Sequence, residues 1–310
     1  MCLISYLLKR KVKSQMPSRQ DGSPFLKVLT ADDFENLKAV PFSFYSKKLK
    51  LNGYKYFYDK EKIKAIVIFF HGAGNGHLAY TREIEALARE GYLVYAYDNS
   101  CCGSSEGEGF WNFSQSLVDQ KYFFKFLESD EDVKGLKRFA MGHSWGGFTA
   151  MASLADPAYK IDKVVEMSGF RSVLQVFISN SPSSKGVSLL LKLMNWRYFG
   201  KLGNVDTLKI LKNTDKKVMM VHGDLDEVIS YDKVFLEFKN ELKDKKNIEF
   251  VVSSNRHHQP YFSLDAQNYY LDLISRGVLE GKLQDEKIDY FKLTEEDPQI
   301  MARIFKFLDE

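Results

Sequence analysis

Six short runs along the chain are apolar almost throughout: Ala65-Ile-Val-Ile-Phe-Phe, Tyr92-Leu-Val-Tyr-Ala-Tyr, Phe139-Ala-Met, Val164-Val-Glu-Met, Val218-Met-Met-Val and Ile248-Glu-Phe-Val-Val. They are β-branched or aromatic and mostly continuous, the pattern of strands buried on both faces of a parallel sheet. Between them, helical periodicity predicts helices over Tyr80 to Glu90, Asn112 to Glu128, Gly147 to Leu154 and Tyr231 to Lys243. Upstream, Phe42-Ser-Phe-Tyr and Tyr54-Lys-Tyr-Phe-Tyr surround an Asn52-Gly53 pair, which predicts an opening hairpin. Alternation of strand and helix then gives an α/β class: a doubly wound, mostly parallel eight-stranded sheet with helices on both faces. No internal repeat or low-complexity linker interrupts residues 1–310, so they are read as a single domain. In such open sheets ligands bind beyond the carboxyl ends of the strands, so chemistry is expected just after each apolar run.

Composition narrows the function classes. With 45% hydrophobic residues the chain has ample material for a core, and 44 basic against 41 acidic side chains leave a net charge of only +3. That balance gives no electrostatic footprint for nucleic acid, so small-molecule partners are expected. Three cysteines, two of them adjacent as Cys101 and Cys102, form neither a disulfide framework nor a metal-binding spacing, which suits a reducing, cytoplasmic location. In the N-terminal MCLISYLLKRKVK the apolar stretch precedes the charges. At about eight residues it is the reverse of a signal peptide's order and too short to span a bilayer. It reads as a short amphipathic lead-in packed on the domain, with contact at a membrane surface as the alternative and no stable membrane insertion.

The polar motifs fall where the sheet predicts them. Gly142-His143-Ser144-Trp145-Gly146-Gly147 follows the fifth strand and precedes a helix. Ser144 there is either a helix cap, a position serine favours, or the nucleophile of a tight strand-to-helix turn that needs small neighbours. After the third strand comes His71-Gly72-Ala73-Gly74-Asn75-Gly76. Its G-x-G-x-G spacing differs from the dinucleotide G-x-G-x-x-G, although Asp98 at the end of the next strand keeps that reading open. The better use is an oxyanion site, with the backbone amides of Ala73 and Trp145 as donors. The seventh strand leads into His222-Gly223-Asp224-Leu225-Asp226, where one aspartate suits a turn and the other can orient an imidazole. The eighth leads into Asn255-Arg256-His257-His258-Gln259-Pro260, a histidine pair in a chain with six histidines.

Ser144, Asp226 and His258, in that order, make the sequence resemble the α/β-hydrolase superfamily, within the branch of serine esterases, monoacylglycerol lipases or lysophospholipases and serine aminopeptidase-like proteins. The resemblance covers roughly residues 42–262. It is carried also by the HG-x-G turn, by Asp98-Asn99-Ser100-Cys101-Cys102-Gly103-Ser104-Ser105-Glu106-Gly107 in place of a D-x-x-G-x-G-x-S loop, and by His222-Gly-x-x-Asp226. It implies an α/β-hydrolase fold with a Ser144-His258-Asp226 triad, no metal and no organic cofactor. H-G-x-x-D falls on Asp226 rather than Asp224, and G-H-N-P aligned on Pro260 falls on His258 rather than His257. The sequence departs at Cys101, where the loop usually has its first glycine, and at His257, where a glycine often precedes the histidine.

Between the sixth and seventh strands, residues 170–215 carry far more apolar side chains than a loop needs, among them Leu189, Leu190, Leu191, Leu193, Met194, Trp196 and Tyr198. This insert predicts a small helical cap, most of whose apolar residues pack onto the sheet while a few line an acyl pocket. The tail supplies a closing helix over Asp297 to Leu308, and residues 263–296 have no assigned part. Two function classes remain. One is a serine hydrolase acting on carboxylic esters of apolar acyl groups, with thioesters and peptides as neighbouring chemistries. The other is a noncatalytic binding or scaffold protein on the same fold.

Overall fold

The computed structural model describes residues 19, 27–74, 76–109, 112–180, 185–278 and 287–310, with side chains described outside 177–187. The N-terminal lead-in expected from the sequence lies outside the described residues. The eight strands are β1 (Lys38–Ser46), β2 (Leu49–Phe57), β3 (Ala65–Phe70), β4 (Tyr92–Tyr97), β5 (Arg138–His143), β6 (Ile161–Met167), β7 (Lys217–Gly223) and β8 (Ile248–Ser253). They form one sheet in the order β1-β2-β4-β3-β5-β6-β7-β8. The β1–β2 and β2–β4 pairs are antiparallel, and every pair from β4 onward is parallel.

The continuous apolar runs are explained by two cores, one on each side of the sheet. Ile66, Ile68 and Phe70 of β3 face one core, shared with α2 (Gln115–Leu127), α3 (Trp145–Ala152), α6 (Thr207–Asn213) and α7 (Leu236–Glu241). Val67 and Phe69 face the other, shared with α1 (Thr81–Arg89) and α10 (Pro298–Asp309). Successive side chains of a strand point to opposite faces, so a strand covered on both sides must be apolar at every position. All six residues of β3 and of β4 are buried.

Two sequence expectations are displaced. The hairpin exists, but its turn is Lys47-Lys48, with Lys47 at φ 55°. Asn52-Gly53 lies inside β2, where Gly53 pairs with Tyr97, and an added Cβ there would stand 2.7 Å from Tyr97 Cα. Its glycine serves close backbone approach rather than a turn. The helix expected from Tyr231 opens as a wide π-type turn, Tyr231–Phe235, before α7.

Within 170–215 lie α4 (Val173–Asn180), α5 (Lys185–Phe199) and α6. Leu208 and Leu211 of α6 are buried in the core beside Phe148 and Met151. The expectation that most apolar insert residues pack onto the sheet does not hold for α5: Leu189, Leu193, Trp196 and Tyr198 are exposed. In the tail, α8 (Leu264–Ser275) and α9 (Tyr290–Leu293) precede the closing helix α10. Among the described residues, no helix is long and apolar enough to cross a membrane.

Candidate active site

Ser144 occupies the sharp turn between β5 and α3 with φ 55° and ψ −117°, a backbone region that side chains rarely adopt. Its neighbours explain how the turn is tolerated. A Cβ added to Gly146 would overlap the Phe70 carbonyl oxygen and stand 2.5 Å from the Phe70 carbonyl carbon, and one added to Gly142 would stand 2.5 Å from Gly146 C. Glycine at both positions lets β5, α3 and the end of β3 crowd together. The cap reading of Ser144 is not realised, because its side chain makes no capping hydrogen bond. Its amide donates to Met167 O at 2.8 Å, and the residue is half-buried.

The two aspartates separate by what they touch. Asp226 is buried, its Oδ2 accepts from His258 Nδ1 at 2.9 Å, and His222 Nε2, which bonds to Ile229 O at 2.8 Å, stands 3.3 Å from the same oxygen. Its Oδ1 accepts from the amides of Val228 and Ile229, each at 2.9 Å. Burial alone would raise this carboxyl, but the neighbouring His222 and His258 imidazoles outweigh it and hold Asp226 well below the usual carboxylate range. Asp224 instead accepts from the Asn255 amide at 2.7 Å in an exposed loop. The histidines separate likewise. The His257 amide is tied to Gln267 Oε1 at 2.7 Å, whereas the His258 ring reaches Asp226.

The His258 loop meets the serine turn through His143, the residue before Ser144. Its ring lies 4.7 Å from that of His258, centroid to centroid, and its Nε2 bonds to the His258 carbonyl at 2.7 Å. No sequence motif assigns His143 a part of its own. No local pattern marks it, because its partners stand 115 residues away in His258 and 63 in Tyr80. The tail supplies a second unforeseen element. Gln267 of α8 binds the His257 amide and, through Nε2, the Asn255 carbonyl at 2.8 Å, while Asp297 holds Arg256 at 2.7 Å. Part of the 263–296 segment therefore braces the loop that carries His258.

On the other side of Ser144, His71 is buried at the end of β3. Its Nε2 accepts from the Asn99 amide at 2.9 Å, so the ring proton sits on Nδ1 and is donated to Gly72 O at 2.6 Å. Burial lowers its pKa, consistent with that neutral form. Trp145 begins α3, its indole donating to Phe113 O at 2.7 Å and standing edge-on to His71 at 5.9 Å. Ala73 follows the His71-Gly72 pair and is exposed, and its amide donates no hydrogen bond among the described residues.

Asp98 does not sit where a ribose could reach it. It is buried, with Oδ1 on the His77 amide and ring at 2.8 and 2.7 Å and Oδ2 on the Ser104 amide and hydroxyl, both at 2.8 Å. Both carboxylate oxygens are engaged inside the protein, which removes the motif's acidic partner for a dinucleotide. Asp98 instead anchors its own loop, in which Cys101 takes φ 67°, the glycine-like conformation of the position it replaces. Among the described residues, no group of three or more His, Cys, Asp or Glu side chains could hold a metal ion.

Residues 61–213 match the family of serine aminopeptidases, S33, a span that includes Ala73, Ser144 and Trp145 and stops before Asp226. Monoglyceride lipase of Rattus norvegicus is 26% identical over 157 residues, 48% of this chain and 48% of that protein. The match thus spans about half the length of that relative. Among solved structures, an esterase of Pyrococcus furiosus superposes with a TM-score of 0.63 at 19% identity, covering 95% of this chain and 98% of that one. An acylaminoacyl peptidase of Pyrococcus horikoshii gives 0.54 at 16% identity over 85% of this chain and 45% of that one. At such identities these structures show the fold, that of the α/β-hydrolases, and the family match and the lipase relative make the chain similar to the superfamily's serine esterases and lipases.

Proposed function

We propose that the protein is a serine hydrolase that cleaves carboxylic esters of apolar acyl groups through Ser144, His258 and Asp226. The observation that carries this reading is the Asp226–His258 hydrogen bond of 2.9 Å, joined through His143 and its bond to the His258 carbonyl to a serine held at φ 55°. In the proposed cycle His258 Nε2 takes the Ser144 hydroxyl proton as Oγ attacks the ester carbonyl carbon. The amides of Ala73 and Trp145 receive the negative oxygen, each donor contributing about 3 kcal/mol in comparable sites. The intermediate collapses, the C–O bond to the alcohol breaks, and the alcohol leaves with the proton from His258. Water then attacks the acyl-enzyme, giving its proton to His258, and the acid departs as Ser144 recovers its hydrogen. Asp226, kept ionised, fixes the imidazole with its proton on Nδ1 and stabilises it when charged.

A scaffold on this fold gains nothing from a serine in a backbone region costing about 1–3 kcal/mol, which weighs for catalysis. We place the protein in the cytoplasm, supported by Cys101 and Cys102, which are free thiols. The same acyl-enzyme chemistry cleaves amides, and the matching family and one similar solved structure carry peptidase names. The deciding experiment measures kcat/KM across p-nitrophenyl esters from acetate to palmitate, monoacylglycerols, lysophospholipids, an acyl thioester and an aminoacyl anilide. Highest turnover on the oxygen esters of apolar acids is expected; a preference for the anilide would replace this reading with a peptidase.

A further inference from the structure

The buried groups around Ser144 include two that the triad does not use, Tyr80 and His143. They form a continuous chain of hydrogen bonds. The Gly72 amide donates to Tyr80 Oη at 3.1 Å, Tyr80 Oη bonds to His143 Nδ1 at 2.9 Å, and His143 Nε2 bonds to the His258 carbonyl at 2.7 Å. Only one proton arrangement satisfies all three. The His258 carbonyl can only accept, so Nε2 of His143 carries the hydrogen and Nδ1 must accept one from the phenol. Burial pushes the Tyr80 phenol well up and, with the neighbouring His258 adding to it, pushes His143 down to about 3, so both stay neutral. The charged and titratable groups facing His143 are His258, Asp226, His222 and Tyr261, whose ring stands edge-on at 5.4 Å, and Glu83 and Tyr261 face Tyr80.

The ends of this chain are mechanically informative. Gly72 precedes Ala73 in the oxyanion loop, His143 precedes Ser144, and His258 is the base. We infer that Tyr80 and His143 are positioning residues: a neutral relay that sets the oxyanion loop, the serine turn and the histidine loop in mutual register. The inference rests on the triad proposed above. Side-chain bonds from a helix-start tyrosine are needed here because the three loops follow β3, β5 and β8, and β8 is not a neighbour of β5 in the sheet. Adjacent strands fix β3 against β5, but the His258 loop reaches β5 only through contacts beyond the strand ends.

The test compares Tyr80→Phe, His143→Leu and His143→Gln with the parent and with Ser144→Ala, reading kcat, KM, pH-rate profile and melting temperature on p-nitrophenyl butyrate. Phe removes the hydroxyl, Leu removes both ring bonds, and Gln offers one acceptor and one donor without titrating. Expected are losses of about tenfold to a hundredfold in kcat for Phe and Leu with KM little changed, the scale of displaced reacting groups. His143→Gln should recover most of the Leu loss and keep the parent's pH-rate profile. Parental kcat in folded Tyr80→Phe, or a Gln variant as impaired as Leu, would overturn the relay while leaving the triad standing. If Tyr80→Phe does not fold, the Gln and Leu pair decides alone. Turnover retained by Ser144→Ala would overturn the triad and the relay together.

Discussion

Replacing Asp226 by Asn exchanges one carboxylate oxygen for an NH2 group inside a fully occupied hydrogen-bond site. The carboxylate receives three hydrogen bonds, from the Val228 and Ile229 amides on Oδ1 and from His258 Nδ1 on Oδ2, and His222 Nε2, bonded to Ile229 O, stands 3.3 Å from Oδ2. In the variant the amide oxygen must stay on the two backbone N–H groups, since an NH2 there would oppose two donors in a buried site. The NH2 then faces His258 and drives its Nδ1 to accept, which places the ring proton on Nε2. A base protonated on the nitrogen that meets Ser144 cannot take its hydrogen. The expected loss is about 10³–10⁴ in kcat, the scale found for a wrong tautomer, or roughly 4–5.5 kcal/mol of barrier. Asp224→Asn keeps an acceptor for the exposed Asn255 amide, so its rate should stay within about twofold, as for surface changes away from special features. Both variants are assayed by ester hydrolysis at neutral pH, with melting temperature as the check on folding. An Asp226→Asn enzyme within about tenfold of the parent, or an Asp224→Asn enzyme that is the crippled one, refutes the assignment.

Burial sets two further outcomes. Gly146→Ala forces a methyl toward the Phe70 carbonyl, 2.5 Å from its carbon and 2.9 Å from His71 O. It should cost about 1–3 kcal/mol of stability and, by shifting the Trp145 amide, about a hundredfold in kcat; calorimetry and ester kinetics check it, and a parental kcat counts against the tight turn. Glu166 at the end of β6 is buried, its Oε2 on the Gly169 amide, and burial pushes its pKa from 4.5 up to about 7. The folded state thus holds a proton that the unfolded chain releases, so stability falls as pH rises from 4.5 through 7, by up to roughly 3 kcal/mol. Glu166→Gln should flatten the pH dependence of melting over that window; an unchanged slope assigns it elsewhere.

The parts of this fold readable from sequence are those set by local physics. β3 and β4 are apolar at every position because both faces are covered, and the glycines around Ser144 are there because nothing larger fits. The features that sequence alone misplaces or hides depend on distant partners. Asn52-Gly53 has the composition of a hairpin turn, but the strand that Gly53 crosses is β4, some forty residues on, and the turn falls on two lysines. Asp98 stands where a ribose-binding acid would, and only the fold shows His77 and Ser104 already on both oxygens. His143 passes as filler within a serine motif until Tyr80 and His258 close on it. The exposed leucines and tryptophan of α5 look like core in one dimension, since periodicity marks a face without saying what covers it.

The central claim, that Ser144 is a nucleophile activated by His258, is tested most directly by fluorophosphonate labelling of the folded protein followed by peptide mass spectrometry. The account predicts a single covalent adduct on Ser144, formed in step with the loss of ester hydrolysis and abolished in Ser144→Ala and His258→Ala. An unlabelled Ser144 in folded protein, or an adduct on another serine that tracks the loss of activity, would contradict it.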